Sequence, residues 1–138
     1  MLLSIVDLED ATVLDLFAGS GSFGLECISR GAGKVVFAEQ NRLAAEVIRT
    51  NVETLGFNDR ADVRQSPVAS VLGGIGSRVD LAFCDPPYTD DVWAELLPTI
   101  PADILVGHAS QPVELTDEWT ELKRRSYGRA QIVIAERS

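Results

Sequence analysis

The stretch Asp85-Pro86-Pro87-Tyr88 combines residue types that could activate a weakly nucleophilic nitrogen. The exocyclic amino group of a nucleic-acid base reacts poorly because its lone pair is delocalised into the ring. Acceptors that hold both amino hydrogens favour the pyramidal, reactive form of the nitrogen. The Asp85 side chain and the Pro86 carbonyl could supply two acceptors, since proline fixes φ and has no N–H that competes.

The ring of Tyr88 could stack on a base that has been extruded from its helix or displayed in a loop. For transfer of a group to this nitrogen, the stretch therefore predicts catalysis mainly by positioning, with added hydrogen-bond activation and without a metal. The alternative is a proline-rich loop in which Tyr88 is an ordinary surface residue.

A second segment, Asp15 to Gly24, places Gly19, Gly21 and Gly24 in the spacing G-x-G-x-x-G. Glycines let the backbone turn sharply and approach a ligand that a Cβ would obstruct. The spacing alone also fits a dinucleotide site. Asp15 favours S-adenosylmethionine, because a carboxylate would repel a pyrophosphate but suits the cationic amino group of a methionine moiety, directly or through water. A plain strand-to-helix turn is the structural alternative.

Glu39 ends the next apolar run, 24 residues after Asp15. An acid at this position can accept hydrogen bonds from both ribose hydroxyls of a nucleoside. Both dinucleotide and S-adenosylmethionine proteins use such an acid, so Glu39 predicts a nucleoside ligand without choosing between them. The alternative is a surface glutamate at the N-terminus of the following helix.

Alternating apolar runs and amphipathic segments must position these residues. The predicted strands are Thr12–Phe17, Lys34–Glu39, Ala61–Arg64, Val79–Cys84, Ile104–His108, Thr120–Tyr127 and Ala130–Ala135. Three predicted helices are Gly21–Arg30, Val68–Leu72 and Asp91–Leu97. A fourth helix is predicted to be capped by Asn41 and to end at Gly56.

Repeated β-α units predict an α/β fold, a Rossmann-like and mostly parallel seven-stranded sheet that ends in a C-terminal antiparallel hairpin. No linker or repeat divides the chain, so residues 1–138 are expected to form one domain. Ligands of such sheets bind beyond the carboxyl ends of the strands, where the strand order reverses. Asp15, Glu39 and Asp85 all lie at such ends.

The net charge of −9 argues against a nucleic-acid partner, because phosphate neutralisation drives most such binding. Basic residues are concentrated only near the C-terminus, at Lys123, Arg124, Arg125 and Arg129. This basic window is a possible RNA contact or simply a solvated hairpin. No apolar stretch is long enough to span a membrane, and the two cysteines form no CxxC pair, which predicts a reduced, cytoplasmic chain without structural metal.

The single histidine, His108, ends a strand near the expected cleft. A lone histidine without a partner is more often structural, so we expect no catalytic role for it. Trp93 and Trp119 are expected to pack a helix and the hairpin.

The sequence resembles class I methyltransferases with a D-P-P-Y motif, and more narrowly the bacterial 16S ribosomal RNA guanine-N2 methyltransferases of the RsmD family. The residues that carry the resemblance are Val13–Glu26, Ser29–Ala32, Val79–Tyr88 and Tyr127-Gly128. D-P-P-Y is shared with adenine-N6 methylases, whereas the longer first block is closer to the RsmD family.

The resemblance implies S-adenosylmethionine as cofactor and ribosomal RNA or the 30S particle as substrate. Together with the sequence pattern, the resemblance suggests a set of residues that bind the cofactor: Asp15, Phe17, Ala18, Gly19, Gly21, Glu39, Gln40, Ser66 and Asp85. Those for catalysis are Asp85, Pro86 and Tyr88.

Two departures from the family pattern bear on these expectations. Members usually begin with a basic segment containing an R-P-T motif, and Met1–Val6 matches only its end, which suggests a truncated chain or a misassigned start. After the third strand, Gln65-Ser66-Pro67 replaces the aspartate that often reads the adenine amino group. Amino methylation of adenine or of DNA, and a cofactor-binding but inactive module, therefore stay open as alternatives.

Overall fold

The computed structural model describes residues 7–87 and 92–138. The strands are β1 Thr12–Leu16, β2 Lys34–Ala38, β3 Ala61–Arg64, β4 Val79–Cys84, β5 Ala102–Ala109, β6 Trp119–Tyr127 and β7 Ala130–Arg137. The helices are α1 Ser22–Ser29, α2 Arg42–Leu55, α3 Val68–Gly73 and α4 Val92–Leu96, followed by a short 3-10 helix, Leu97–Thr99. These bounds lie within a few residues of the predicted ones.

The strands form one seven-stranded sheet in the order β3-β2-β1-β4-β5-β7-β6. β1 to β5 are parallel, and β7 runs antiparallel between β5 and β6. The predicted Rossmann-like fold with its C-terminal hairpin is therefore confirmed. The strand order reverses between β1 and β4, which makes the carboxyl ends of these two strands the expected ligand site.

Apolar side chains cover both faces of the central strands, as a buried parallel sheet requires. One buried cluster joins Val13, Phe37 and Leu81 to α1 and α2. The other joins Leu14 and Leu16 to α3 and α4. The sheet thus holds the ends of β1, β2 and β4 in fixed positions relative to one another.

Helix α2 begins and ends as the sequence predicts. The Asn41 side chain accepts a hydrogen bond from the Ala44 N–H at 2.9 Å, and Gly56 closes the helix in the left-handed conformation. Ile48 and Val52 are buried. Three further apolar residues of α2 are exposed, namely Leu43, Val47 and Leu55.

The tryptophans pack as expected. Trp119 is buried and donates its indole N–H to the Leu97 carbonyl at 2.8 Å. Trp93 packs against Gly107, where an added Cβ would lie 3.0 Å from the indole ring. No helix within residues 7–87 and 92–138 is long and apolar enough to cross a membrane.

Gly24 of α1 packs directly on β2, and a side chain there would have no space. A Cβ would meet the Phe37 ring, with Cζ at 2.8 Å, and Val35 Cγ1 at 2.9 Å. The third glycine of the G-x-G-x-x-G spacing therefore serves helix–strand packing.

We expect Gly24→Ala to lower the free energy of unfolding by about 1–3 kcal/mol, because the buried Phe37 ring must move. Urea unfolding would measure this loss. Gly73→Ala is the matched control, since a Cβ at this helical glycine meets nothing within 4 Å. That control should stabilise the protein by up to about 1 kcal/mol. Equal effects of the two substitutions would contradict the packing role of Gly24.

Candidate active site

The turn between β1 and α1 takes a left-handed backbone at several positions. Gly19 and Gly21 have φ of 58° and 80°, and Phe17 has φ of 59°. A left-handed aromatic residue is uncommon and persists only where its surroundings impose it. The Ala18 N–H donates to the Ala38 carbonyl at 3.0 Å, so the glycine turn is tied to the end of β2.

Glu39 fastens the glycine turn to the start of α2. Its Oε1 accepts a hydrogen bond from the Gly19 N–H at 2.8 Å, and its Oε2 accepts one from the Asn41 N–H at 2.9 Å. A carboxylate has about four lone-pair sites, so these two bonds leave acceptors for two further donors. Glu39 can therefore hold the turn and bind the two hydroxyls of a ribose at the same time.

A cavity of about 220 Å³ lies against this turn, between the ends of β1, β2 and β4. Its lining residues are Phe17, Gly19, Ala38, Glu39, Gln40, Val68, Asp85 and Pro87. We call it the turn cavity. Its floor is apolar, and its two acidic groups, Glu39 and Asp85, come from different strands. The lining includes no basic side chain among the residues that the structure describes.

Asp15 lies beneath the turn, with only 1% of its surface exposed. Its Oδ2 accepts a hydrogen bond from the Gly24 N–H at 3.0 Å, in the first turn of α1. The pKa of Asp15 is raised to about 7, mainly by burial and to a lesser extent by the charges of Asp85 and Glu39, against the lowering effect of this hydrogen bond. Asp15 is therefore a costly buried acid behind the cavity wall, not part of its lining.

The acidic character of this site decides which ligands fit it. Three carboxylates lie close together here, because the charges of Glu39 and Asp85 both raise the pKa of Asp15. A pyrophosphate would add negative charge to these three carboxylates. A cationic ligand would relieve their mutual repulsion, so the residues fit S-adenosylmethionine, which carries a sulfonium and an ammonium group.

A second, wider cavity of about 450 Å³ opens on the other side of Asp85. Its lining residues are Asp85, Pro86, Pro87, His108, Ala109, Ser110, Arg129 and Ala130. We call it the hairpin cavity, because Arg129 and Ala130 belong to the β6–β7 hairpin. Asp85 and Pro87 line both cavities, so these two residues stand where the cavities meet. Tyr88 lies outside the described residues.

His108 reaches Asp85 from the end of β5. Its Nδ1 lies 3.0 Å from Asp85 Oδ1. The expectation that this histidine lacks a partner was wrong. The contact joins residues that are 23 positions apart, and only the pairing of β4 with β5 brings them together.

The turn cavity brings together five of the residues predicted for the cofactor. These are Phe17, Gly19, Glu39, Gln40 and Asp85. Ala18 and Gly21 shape the turn instead, and Gly21 packs on Ile48 and Phe37. Ser66 does not line the cavity, and its N–H donates to the Arg64 carbonyl at 3.0 Å.

Sequence reasoning missed several lining residues. Val68 reaches the turn cavity from the start of α3, and His108 and Ser110 reach the hairpin cavity from β5 and its end. Val68 has the apolar residue type of a core position, which gives no signal of a ligand. For His108 the position at the end of a strand, near the expected cleft, was a usable signal.

The four basic residues near the C-terminus, which the sequence groups in one window, do not share one environment in the structure. Arg129 lines the hairpin cavity. Arg124 is bound to the Glu121 carboxylate at 2.9 Å and to the Val113 carbonyl at 2.8 Å. Lys123 and Arg125 pair with Ile134 and Ile132 of β7, on the opposite sheet face from Arg124.

Sequence comparisons relate the chain to ribosomal RNA methyltransferases. A family model described as Conserved hypothetical protein 95 matches residues 2–136. Ribosomal RNA small subunit methyltransferase D of Escherichia coli is 38% identical over 79 residues, which are 57% of this chain and 39% of that protein. The protein of the same name from Haemophilus influenzae is 27% identical over 133 residues, 88% of this chain and 69% of that protein.

Solved structures show the same fold. The Escherichia coli protein yhhF, described as a candidate methyltransferase, is 26% identical with a TM-score of 0.89, over 99% of this chain and 80% of that one. Magnesium protoporphyrin IX methyltransferase of Synechocystis, with bound SAM, has a TM-score of 0.75 over 99% of this chain and 74% of that one. At 16% identity the second likeness concerns the fold alone. With the family model covering nearly its whole length, the chain belongs to the Conserved hypothetical protein 95 family, the RsmD family of methyltransferases.

Proposed function

We propose that this protein transfers the methyl group of S-adenosylmethionine to the exocyclic N2 amino group of a guanine in 16S ribosomal RNA. The observation that carries the proposal is the meeting of two cavities at Asp85 and Pro87. One cavity has the acidic lining and glycine turn that suit a cationic nucleoside. The other opens beside a predicted amino-activating motif, so donor and acceptor would meet at Asp85.

The turn cavity would hold the cofactor, which supplies a methyl group on a cationic sulfur. Glu39 has acceptors left for the ribose hydroxyls, because its two observed bonds use only half of its lone-pair sites. The apolar side chains of Phe17 and Val68 offer contact to the adenine. Gln40 lines this cavity and could provide a hydrogen bond in place of the aspartate that is missing after β3. Ser66, which lies outside the lining, is the second candidate from the sequence.

The hairpin cavity would hold the guanine. The Asp85 carboxylate would accept one hydrogen of the amino group, and the Pro86 carbonyl would accept the other. As the nitrogen–carbon bond forms, the bond between the methyl carbon and the cofactor sulfur would break, with its electron pair left on the sulfur. The nitrogen would become cationic and would then lose a proton to water. Asp85 stabilises this developing positive charge by a fixed negative charge at the reacting atom. Tyr88 is proposed to stack on the base.

We assign ribosomal RNA as the acceptor because the relatives of this chain are named as ribosomal RNA methyltransferases. Arg129 is the residue of the basic window that this proposal places beside the RNA, because it lines the hairpin cavity. A guanidinium at the mouth of the cavity can bind a phosphate next to the target base. The net charge of −9 makes such local contacts important, since the chain as a whole repels RNA.

The proposal is tested with S-adenosylmethionine labelled in its methyl group and 30S particles from a strain that lacks its own RsmD-family methyltransferase. Digestion of the RNA to nucleosides and mass spectrometry would then identify the modified base. We expect label in N2-methylguanosine.

Three other results would each contradict the proposal in a different way. Label in adenine would assign the chain to adenine-N6 methylation. Transfer to bare DNA duplex but not to particles would assign it to DNA. Cofactor binding by calorimetry, with no transfer to any of these acceptors, would identify an inactive cofactor-binding module.

A further inference from the structure

The pair formed by His108 and Asp85 lies at the junction of the two cavities. Their Nδ1 and Oδ1 atoms are 3.0 Å apart, and both residues line the hairpin cavity. About two fifths of each side chain is exposed, 38% for His108 and 42% for Asp85, so a ligand can reach them. The pair is therefore accessible and sits where the proposed reaction takes place.

The direction of this hydrogen bond follows from the chemistry of its partners. An ionised carboxylate can only accept, so the hydrogen lies on Nδ1 of His108 and the imidazole is the donor. The imidazole is held in place by its strand, since His108 pairs with Ile132 of β7 and the preceding Gly107 pairs with Cys84 of β4. A side chain on a central strand of a paired sheet is a firm support for a neighbour.

The bond restricts the Asp85 carboxylate, which would otherwise rotate about its last side-chain bond. Among residues 7–87 and 92–138, His108 is the one hydrogen-bond partner of this carboxylate. With Oδ1 held by the imidazole, Oδ2 is left to accept a hydrogen from the substrate. The imidazole thus fixes the plane of the carboxylate and the direction in which its second oxygen points.

We propose that His108 is a positioning residue for methyl transfer, which acts by holding the Asp85 carboxylate toward the acceptor nitrogen. This role rests on the proposed function. The charged side chains that line the hairpin cavity together with His108 are Asp85, at the end of β4, and Arg129 of the hairpin. The role requires a hydrogen-bond donor at the position of Nδ1, and it requires no proton transfer.

Two substitutions separate this role from simple support of the fold. His108→Ala removes the donor, and His108→Asn returns an N–H close to the position of Nδ1 without the ring. We expect His108→Ala to lower kcat by about 10- to 100-fold, the cost of a misplaced reacting group. We expect His108→Asn to recover kcat to within about fivefold of wild type, since the donor is restored.

The measurement is single-turnover and steady-state transfer of labelled methyl from S-adenosylmethionine to unmodified 30S particles. Calorimetry should give a cofactor Kd that changes less than about threefold in both variants, because the turn cavity does not include His108. Thermal unfolding should show that both variants are folded. A loss in kcat with unchanged cofactor Kd, repaired by asparagine, is the expected result.

If the wild type is active and the His108→Ala variant is equally active, the role of His108 is overturned and the proposed function is left intact. A folded His108→Asn variant as slow as His108→Ala would also overturn it, because the donor would then not be what matters. Wild type without any transfer would overturn the proposed function and this role with it.

Discussion

Asp85→Ala is expected to abolish methyl transfer, with a loss in kcat of at least about 100-fold, while the cofactor Kd stays within about tenfold of wild type. The carboxylate stands where the two cavities meet and has one oxygen free of His108. In the proposed reaction, removing it deletes both an acceptor for the amino hydrogen and the charge that stabilises the developing cation. Label transfer to unmodified 30S particles and calorimetry would measure the two effects.

Asp85→Asn should be nearly as slow as Asp85→Ala, although it preserves the shape of the side chain. With the hydrogen on Nδ1, as in the wild-type pair, His108 donates to the amide oxygen, because the amide nitrogen has no lone pair to offer it. The amide NH₂ is then turned toward the substrate amino group, and two donors face each other. This result would separate the charge and orientation of Asp85 from its volume.

Asp103→Ala is the matched control for Asp85. It removes an aspartate from the start of the neighbouring strand β5, where its side chain is 56% exposed and forms a surface pair with Arg78 at 3.6 Å. Transfer by this variant should equal that of wild type. An active Asp85→Ala variant would show that the chemistry lies elsewhere. An inactive variant that has also lost cofactor binding would assign Asp85 to the cofactor or to the fold.

Sequence reasoning could predict the parts of this molecule that depend on local patterns. The apolar runs of β1 and β4, the Asn41 cap and the Gly56 stop are each encoded within a few residues. The order of acids and glycines after successive strands predicts that these residues meet at one edge of the sheet. Glu39 and Asp85 do line one cavity, because the carboxyl ends of neighbouring parallel strands lie at the same edge of the sheet.

The parts that could not be predicted depend on contacts between distant elements. The Asp85–His108 pair requires β4 and β5 to be in register, with Cys84 beside Gly107. The burial of Asp15 depends on how closely α1 packs on the sheet, which no spacing reveals. The basic window illustrates the same limit, because strand alternation places Arg124 on one sheet face and Arg125 on the other.

Asp15→Asn is expected to stabilise the protein at pH 8 and to weaken cofactor binding. Burial raises the pKa of Asp15 from 3.8 to about 7 in the folded protein. Between these values the folded state keeps a proton that the unfolded state has released. The free energy of unfolding therefore falls as pH rises from about 4 to about 7, by up to about 4 kcal/mol, and this cost is fully present above pH 7.

The asparagine carries no charge and keeps an oxygen that can accept the Gly24 N–H. It should therefore remove most of that cost, with a gain of up to about 4 kcal/mol at pH 8 and little change at pH 4. Urea unfolding at pH 4, 6 and 8 would measure this dependence. Asp103→Asn is the matched control, since this exposed aspartate should change stability by no more than about 0.5 kcal/mol.

A protein that retains a buried acid at such a cost is expected to use its charge, and a cationic ligand in the turn cavity is the use that the geometry offers. A bound cation favours the ionised form, so cofactor binding below pH 7 should release a proton from Asp15. Wild-type affinity should therefore be about tenfold lower at pH 6 than at pH 8, and the affinity of Asp15→Asn should be weaker and nearly constant with pH. Calorimetry in buffers of different ionisation enthalpy would count the released proton. If Asp15→Asn binds S-adenosylmethionine as tightly as wild type, the charge of Asp15 serves no ligand. The loss of stability that this buried acid causes would then remain unexplained.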